Sequence, residues 1–167
     1  DEMGPVVEAY KREIPNAEPI GAYVNDNVMV TTAAFVAEDG KKARQSILDA
    51  RITYLQSNVY RYHDTFPHPD WVPQWPELIP DLDEEGLEAG MAAGSMVVGD
   101  PDEALAACRR WADAGADQLV FGLGAASKED SLEMIRLMGE HVIPKLDPDP
   151  VHRTTRFREA AAGASTT

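Results

Sequence analysis

The stretch GDPDEALAACRRWADAGADQLVFGLG, residues 99–124, constrains the fold more than any other part of this chain. Asp100 and Pro101 open a helix as N-cap and first-turn proline. Asp102 and Glu103 place acid on the positive end of its dipole. Apolar residues recur at Leu105, Cys108 and Trp111–Ala112, a one-sided stripe at helical spacing. Gly115 supplies a left-handed exit. ADQLVFGLG then reads as a short buried strand ending in two glycines. A capped helix feeding a short apolar strand is the repeating unit of an α/β protein.

These residues also carry a resemblance. GDPDEA, the AGADQLVFG strand and the GEHVIPKL helix end look like the last two β/α units of a luciferase-like, flavin-dependent monooxygenase, and so does AAFVAEDGKKAR upstream. The similarity runs from about Gly4 to Arg158. It implies a TIM-type (β/α) barrel that holds reduced FMN, or a deazaflavin in a sister group, at the C-terminal ends of its strands. It further implies oxygen insertion or hydride transfer on a small-molecule substrate, with reduced flavin supplied by a reductase. Periodicity by itself gives only α/β.

A TIM barrel takes roughly 250 residues and eight strands, whereas this chain has 167 residues and three readable strands, with a fourth at most. The expectation is therefore a partial TIM-type barrel of C-terminal β/α units only. Residues 1–146 would form the half-barrel, with a proline- and tryptophan-rich insertion at 64–83, and 147–167 a tail. The first residue is Asp1 rather than Met, so the true N-terminus is expected elsewhere. A half-barrel exposes strand edges and an apolar face. A homodimer, or pairing with a missing N-terminal half, is expected to cover them. A small independent α/β domain is the alternative.

The formal net charge of −14 argues against nucleic acid and anionic membranes as partners. A single cysteine, Cys108, excludes an intrachain disulfide and a cysteine-built metal site. Its place on an apolar helix face reads as a buried structural thiol, since no neighbouring His activates it. No apolar run approaches the roughly 18 residues of a membrane span, and no signal peptide is visible. A cytoplasmic location follows as an expectation.

Residues 4–14 read as a short helix with Val6, Val7 and Tyr10 on one side, ended by Pro15. A strand from about Val28 to Val36 is apolar and β-branched, as a strand covered on both faces should be. The helix GKKARQSILDARITYLQSNVYRYH follows, with a core stripe at Ala43, Ile47, Ala50, Tyr54 and Leu55. DTFPHPDWVPQWPELIPDLDEE then breaks the pattern; its prolines forbid regular helix or central strand. A loop this long is commonly a functional lid. Beyond it come a short helix, roughly Glu84 to Ala93, and the strand SMVVG. The last helix has a capping box of Ser127 with Asp130 and a stripe at Leu132, Ile135, Met138 and Val142. The tail from Asp147 is polar and is expected to wrap a surface.

Candidate chemistry is sparse. GLGAAS lets backbone amides approach an anion at a helix N-terminus, making Gly122 and Gly124 candidate cofactor contacts. It lacks the following strand with an acid that a dinucleotide fingerprint needs. RYHDTFPHPDW gathers Arg61, His63, Asp64, His68 and Trp71. His63 is the candidate proton donor, against the plainer reading of a proline-locked loop bonded to itself. A metal is not favoured, because the spacing matches no helical i, i+4 pair. The resemblance puts this insertion near a barrel mouth, which makes Trp71 and Trp75 candidate pocket walls; packing outside the barrel serves equally well. Asn25–Asn27 precede a strand, at the stability face of a barrel. Thr31 or Thr32 is expected to face the barrel interior. Arg153, Arg156 and Arg158 could hold a phosphate, or could pack a tail onto acidic helices. No GxSxG, Cys-His signature or paired-carboxylate motif is present.

Overall fold

A computed structural model describes residues 3–49, 54–74, 77–79, 81–123, 127–149 and 151–164. Helix α1 spans Met3–Glu13 and tightens into a 3₁₀ turn, Ile14–Asn16, at Pro15. Strand β1 (Met29–Val36) leads to α2 (Gly40–Leu48) and α3 (Tyr54–Val59), which continues as a π-helical turn, Tyr60–Asp64. The helix expected to run unbroken from Gly40 to His63 is thus described as two segments. Ala50 and the side chains of Tyr54 and Leu55 lie outside the described residues. Helix α4 (Glu84–Ala93) ends at Gly94, a left-handed residue that turns the chain into β2 (Met96–Gly99). Helix α5 (Pro101–Asp113) starts on a reciprocal Asp100–Glu103 capping box. Gly115, at φ +95°, makes the left-handed exit its position demands. Strand β3 (Gln118–Leu123), α6 (Lys128–Leu137), a π turn (Met138–Val142), α7 (Ile143–Leu146) and α8 (Arg153–Ala164) follow.

The three strands form one parallel sheet in the order β2-β1-β3. Ala33 pairs with Met96 on one side and Gly122 on the other. Alternation along β1 divides the core between the two faces. Ala34 and Val36 join Val97, Leu105, Cys108, Met134, Leu137 and Val142 under α5, α6 and α7. Phe35 joins Ala43, Leu87 and Val98 under α2 and α4. The α/β expectation holds. Barrel winding is not seen among the described residues: consecutive barrel units would set the second strand between the first and third, with helices on one face only. Here β1 is central and helices cover both faces.

Several expected core positions shift. Leu132 and Ile135 are exposed, and the buried side of α6 is Met134 and Leu137, continued by Met138 and Val142. The i, i+3, i+4 contact with β1 selects that side over its neighbour. Val7 is buried while Val6 faces out. The tail, expected to wrap a surface, forms α8, a helix with no buried residue. From 65 to 83 the described residues form neither helix nor strand, as the prolines require.

Candidate functional site

Open parallel sheets present ligands with the crevice beyond the carboxyl ends of their strands, where the winding reverses direction. In this chain that point is the end of β1, because β2 lies on one side of it and β3 on the other. A cleft of about 220 Å³ opens there, between the start of α2 and the first turns of α6. Phe35, Val36 and Ala37 form its floor, and Glu38, Asp39, Lys42, Asp130 and Glu133 its rim.

Each charged group on the rim is held. The Asp39 carboxylate accepts from the Lys41 amide at 2.9 Å as the N-cap of α2. The Ser127 hydroxyl donates to Asp130 Oδ2 at 2.8 Å and accepts from the Asp130 amide, so α6 closes its own N-terminus. That hydroxyl bond, helped by Lys42 Nζ at 3.5 Å, keeps the Asp130 carboxyl below its ordinary range. Arg136 reaches Glu133 and Glu140 at 2.6 Å and Glu38 at 3.3 Å. Its hydrogen bond lowers the pKa of Glu133. The rim is therefore net acidic, with both nearby cations already paired.

Beside the cleft, Glu103 threads between Gly40 and Gly99. A Cβ on either glycine would stand 2.3 Å from Glu103 Oε2. Its carboxylate accepts from the Asp100 amide at 2.9 Å and from Arg44 Nη2 at 2.7 Å. The Arg44 bond is the main reason its pKa falls below the ordinary 4.5. This contact joins the end of β2 to the start of α2.

The residues singled out from sequence do not converge there. His63 sits in the π turn, its Nδ1 2.7 Å from Asp64 Oδ1. Its ring stacks on His68 with centroids 5.4 Å apart. His68 Nε2 lies 2.6 Å from the Gln74 side-chain amide. Trp71 is 82% exposed. Gly122 lies within β3, exposed, with the Thr32 carbonyl 3.9 Å from where a Cβ would stand. Gly124 and Trp75 lie outside the described residues. Neither His63, Trp71 nor Gly122 lines the cleft. The insertion was expected to cover the strand ends; its described residues bond mainly among themselves.

The opposite end of the sheet carries an ion cluster. Lys11 Nζ lies 2.7 Å from both Asp26 and Asp117, and Asp117 also accepts from the Val28 amide. Arg153 bonds the same two aspartates, and Arg156 bonds Asp149. Arg153 thus docks α8 onto Asp26 and Asp117, while Arg156 ties α8 to its own lead-in. Thr32 is the buried threonine of β1, on the face under α5, donating to the Gly94 carbonyl at 3.2 Å beside Trp111 Nε1; no barrel interior is seen for it or Thr31 to face among the described residues. Burial pushes the Cys108 thiol up to about 11, which leaves it protonated and unreactive. Among the described residues no three His, Cys, Asp or Glu side chains are placed to hold a metal ion, and no helix is long and apolar enough to cross a membrane.

Sequence reasoning passed over the cleft's own residues. Glu38 and Asp39 directly follow a predicted strand, and the carboxyl-end rule would have marked them. Asp130 and Glu133 had no such signal, since their place depends on which face α6 buries.

No protein-family model matches the chain, and no curated protein matches it in sequence. Among solved structures it is similar to the crystal structure of monooxygenase RslO1 from Streptomyces bottropensis, with a TM-score of 0.51 and 19% identity. The match covers 87% of this chain and 39% of that one. At this identity the likeness concerns the fold, and the chain spans well under half the length of the monooxygenase it matches.

Proposed function

We propose that this chain is one α/β portion of a monooxygenase-type oxidoreductase that uses reduced flavin and oxygen on a small organic substrate. The single observation carrying this reading is the structural likeness to part of a monooxygenase chain. A cleft at the carboxyl ends of parallel strands, where α/β enzymes place their sites, agrees with it.

The described residues do not suit the phosphate of FMN or of a deazaflavin. The rim is carboxylate-rich, Lys42 and Arg136 are engaged, and Asp130 blocks the N-terminus of α6. Gly122 makes no cradle. In this reading the cofactor phosphate is held by residues outside the described set. The chain's contribution is a shaped apolar floor at the strand ends. A non-catalytic pairing module is the second reading, favoured by the bare side of β3 described below.

Supplying the chain with reduced FMN, oxygen and a panel of aldehydes tests its incompleteness. No turnover by the chain alone is expected; turnover would overturn it. Flavin fluorescence titrations on a complete assembly containing the chain test the oxidoreductase reading, which fails if neither FMN nor the deazaflavin binds.

A further inference from the structure

Helix α8 carries its charges the wrong way round for a helix that stands by itself. Its first turn holds Arg153 and Arg156 and no acid, so two cations sit on the positive end of its dipole. It has no buried residue, and a helix of 12 residues without burial is marginal in water. Charge outside the helix offsets both penalties. Arg153 bonds Asp26 and Asp117, Thr154 Oγ1 donates to the Asn25 side chain at 3.1 Å, and Arg156 bonds Asp149 in the lead-in. Side-chain bonds to the sheet end thus come from the first two residues of α8. Phe157, half-buried, lies 5.3 Å from the Arg153 guanidinium.

We propose that α8 is a charge-latched strap, closed at low ionic strength and released as a unit when salt screens the contacts of Arg153 with Asp26 and Asp117. The docking site is built to survive release. Lys11 Nζ lies 2.7 Å from both aspartates, and Asp117 also accepts from the Val28 amide at 2.9 Å. Losing Arg153 therefore leaves neither carboxylate without a partner, and opening orphans no buried charge. Two carboxylates facing the single ammonium of Lys11 still leave an unmatched negative charge for Arg153 to meet, which closes the strap. The latch is open to screening, because the Arg153 side chain is 44% exposed. Such pairs weaken as the screening length falls from roughly 10 Å at 0.1 M salt to about 3 Å at 1 M. Once undocked, α8 keeps two arginines on its unfavourable end and melts. This inference stands whether or not the chain is an oxidoreductase.

Hydrogen exchange on the purified chain reads the strap directly. In dilute buffer the α8 amides from Phe157 to Ala162 should be protected. Raising NaCl to about 1 M should speed their exchange by about tenfold or more, while the β1 amides stay as slow as before. Arg153→Gln should exchange fast in α8 already at low salt. Arg158→Gln makes the same change at an exposed arginine of α8 that has no ion pair among the described residues, and should leave the helix protected. The sign identifies the cause. By the dipole alone Arg153→Gln would strengthen α8, so faster exchange comes from lost docking. Protection of α8 that ignores salt, no protection at any salt, or α8 and β1 opening together would each overturn the proposal. So would an Arg153→Gln variant as protected as the parent, or an Arg158→Gln variant that loses protection.

Discussion

Strand β1 has one neighbour whose surroundings are finished and one whose surroundings are not. On the β2 side helices cover both faces, and Phe35 packs against Val98, Leu87 and Ala43. On the β3 side one face is covered by α5 and α6 while the other is bare, and Leu123 is 46% exposed. Both strands were read from the same kind of sequence, a short apolar run after a helix. What separates them is whether helices reach the second face: α2 and α4 cover it over Val98 but leave Val120 exposed. Burial is thus a property of the neighbourhood.

Denaturant unfolding can measure that contrast directly. Phe35→Ala removes a ring that is 2% exposed and should cost about 3–5 kcal/mol. Leu123→Ala on the other side should cost about 1 kcal/mol or less. Equal losses would mean that β3 is as well covered as β2 and would erase the distinction.

The glycines sharpen it. Gly99, at φ +151°, holds a backbone conformation that a side chain resists, and a Cβ there would strike Glu103. Gly99→Ala should cost about 2–3 kcal/mol. Gly122→Ala meets only the Thr32 carbonyl, at an ordinary contact distance of 3.9 Å, and should change stability by about 0.5 kcal/mol or less in either direction. A large loss at Gly122 would show β3 packed against something at that point. Loss of cofactor binding without loss of stability would instead restore Gly122 as a cofactor contact.

Acid titration probes the finished side alone. The folded pKa of Glu103 is lowered, chiefly by its bond to Arg44, so its stabilisation is present above the ordinary 4.5 and disappears as pH falls below it. Glu103 is 39% exposed in its side chain; allowing for solvent screening, Glu103→Gln should cost about 1 kcal/mol at neutral pH. The gap between variant and parent should close in acid. A gap unchanged in acid would show that the glutamate acts by shape rather than charge.

The elements were legible where local chemistry decides them. The capping residues of α5, the left-handed Gly115 and the prolines after Asp64 each act within a few residues of themselves, and each lies where expected. The buried side of α6 was not legible, because Leu132–Ile135 and Met134–Leu137 both satisfy helical spacing and only contact with β1 separates them. Strand order was hidden for the same reason: a helix–strand repeat is compatible with a barrel and with an open sheet. The cleft inherits both blind spots. Glu38 and Asp39 were readable from their position after β1, but Asp130 and Glu133 join them only through that strand order and that helix face.

Trp71 gives the smallest expected stability change and the finest test of the insertion. Were it packed against outer helices, Trp71→Ala would cost about 3–5 kcal/mol. At 82% exposed it should cost about 0.5 kcal/mol or less, so the melting temperature should scarcely move. That leaves two roles. A tryptophan exposed in the described chain can wall an apolar pocket once further residues complete the site, or it can remain on the surface. In a complete assembly with measurable turnover the two separate cleanly. A wall used equally by bound substrate and transition state gives a raised KM with kcat nearly unchanged, whereas a surface residue leaves both constants alone. A large stability loss with normal kinetics would contradict the exposure of this ring and with it the open character of the whole insertion.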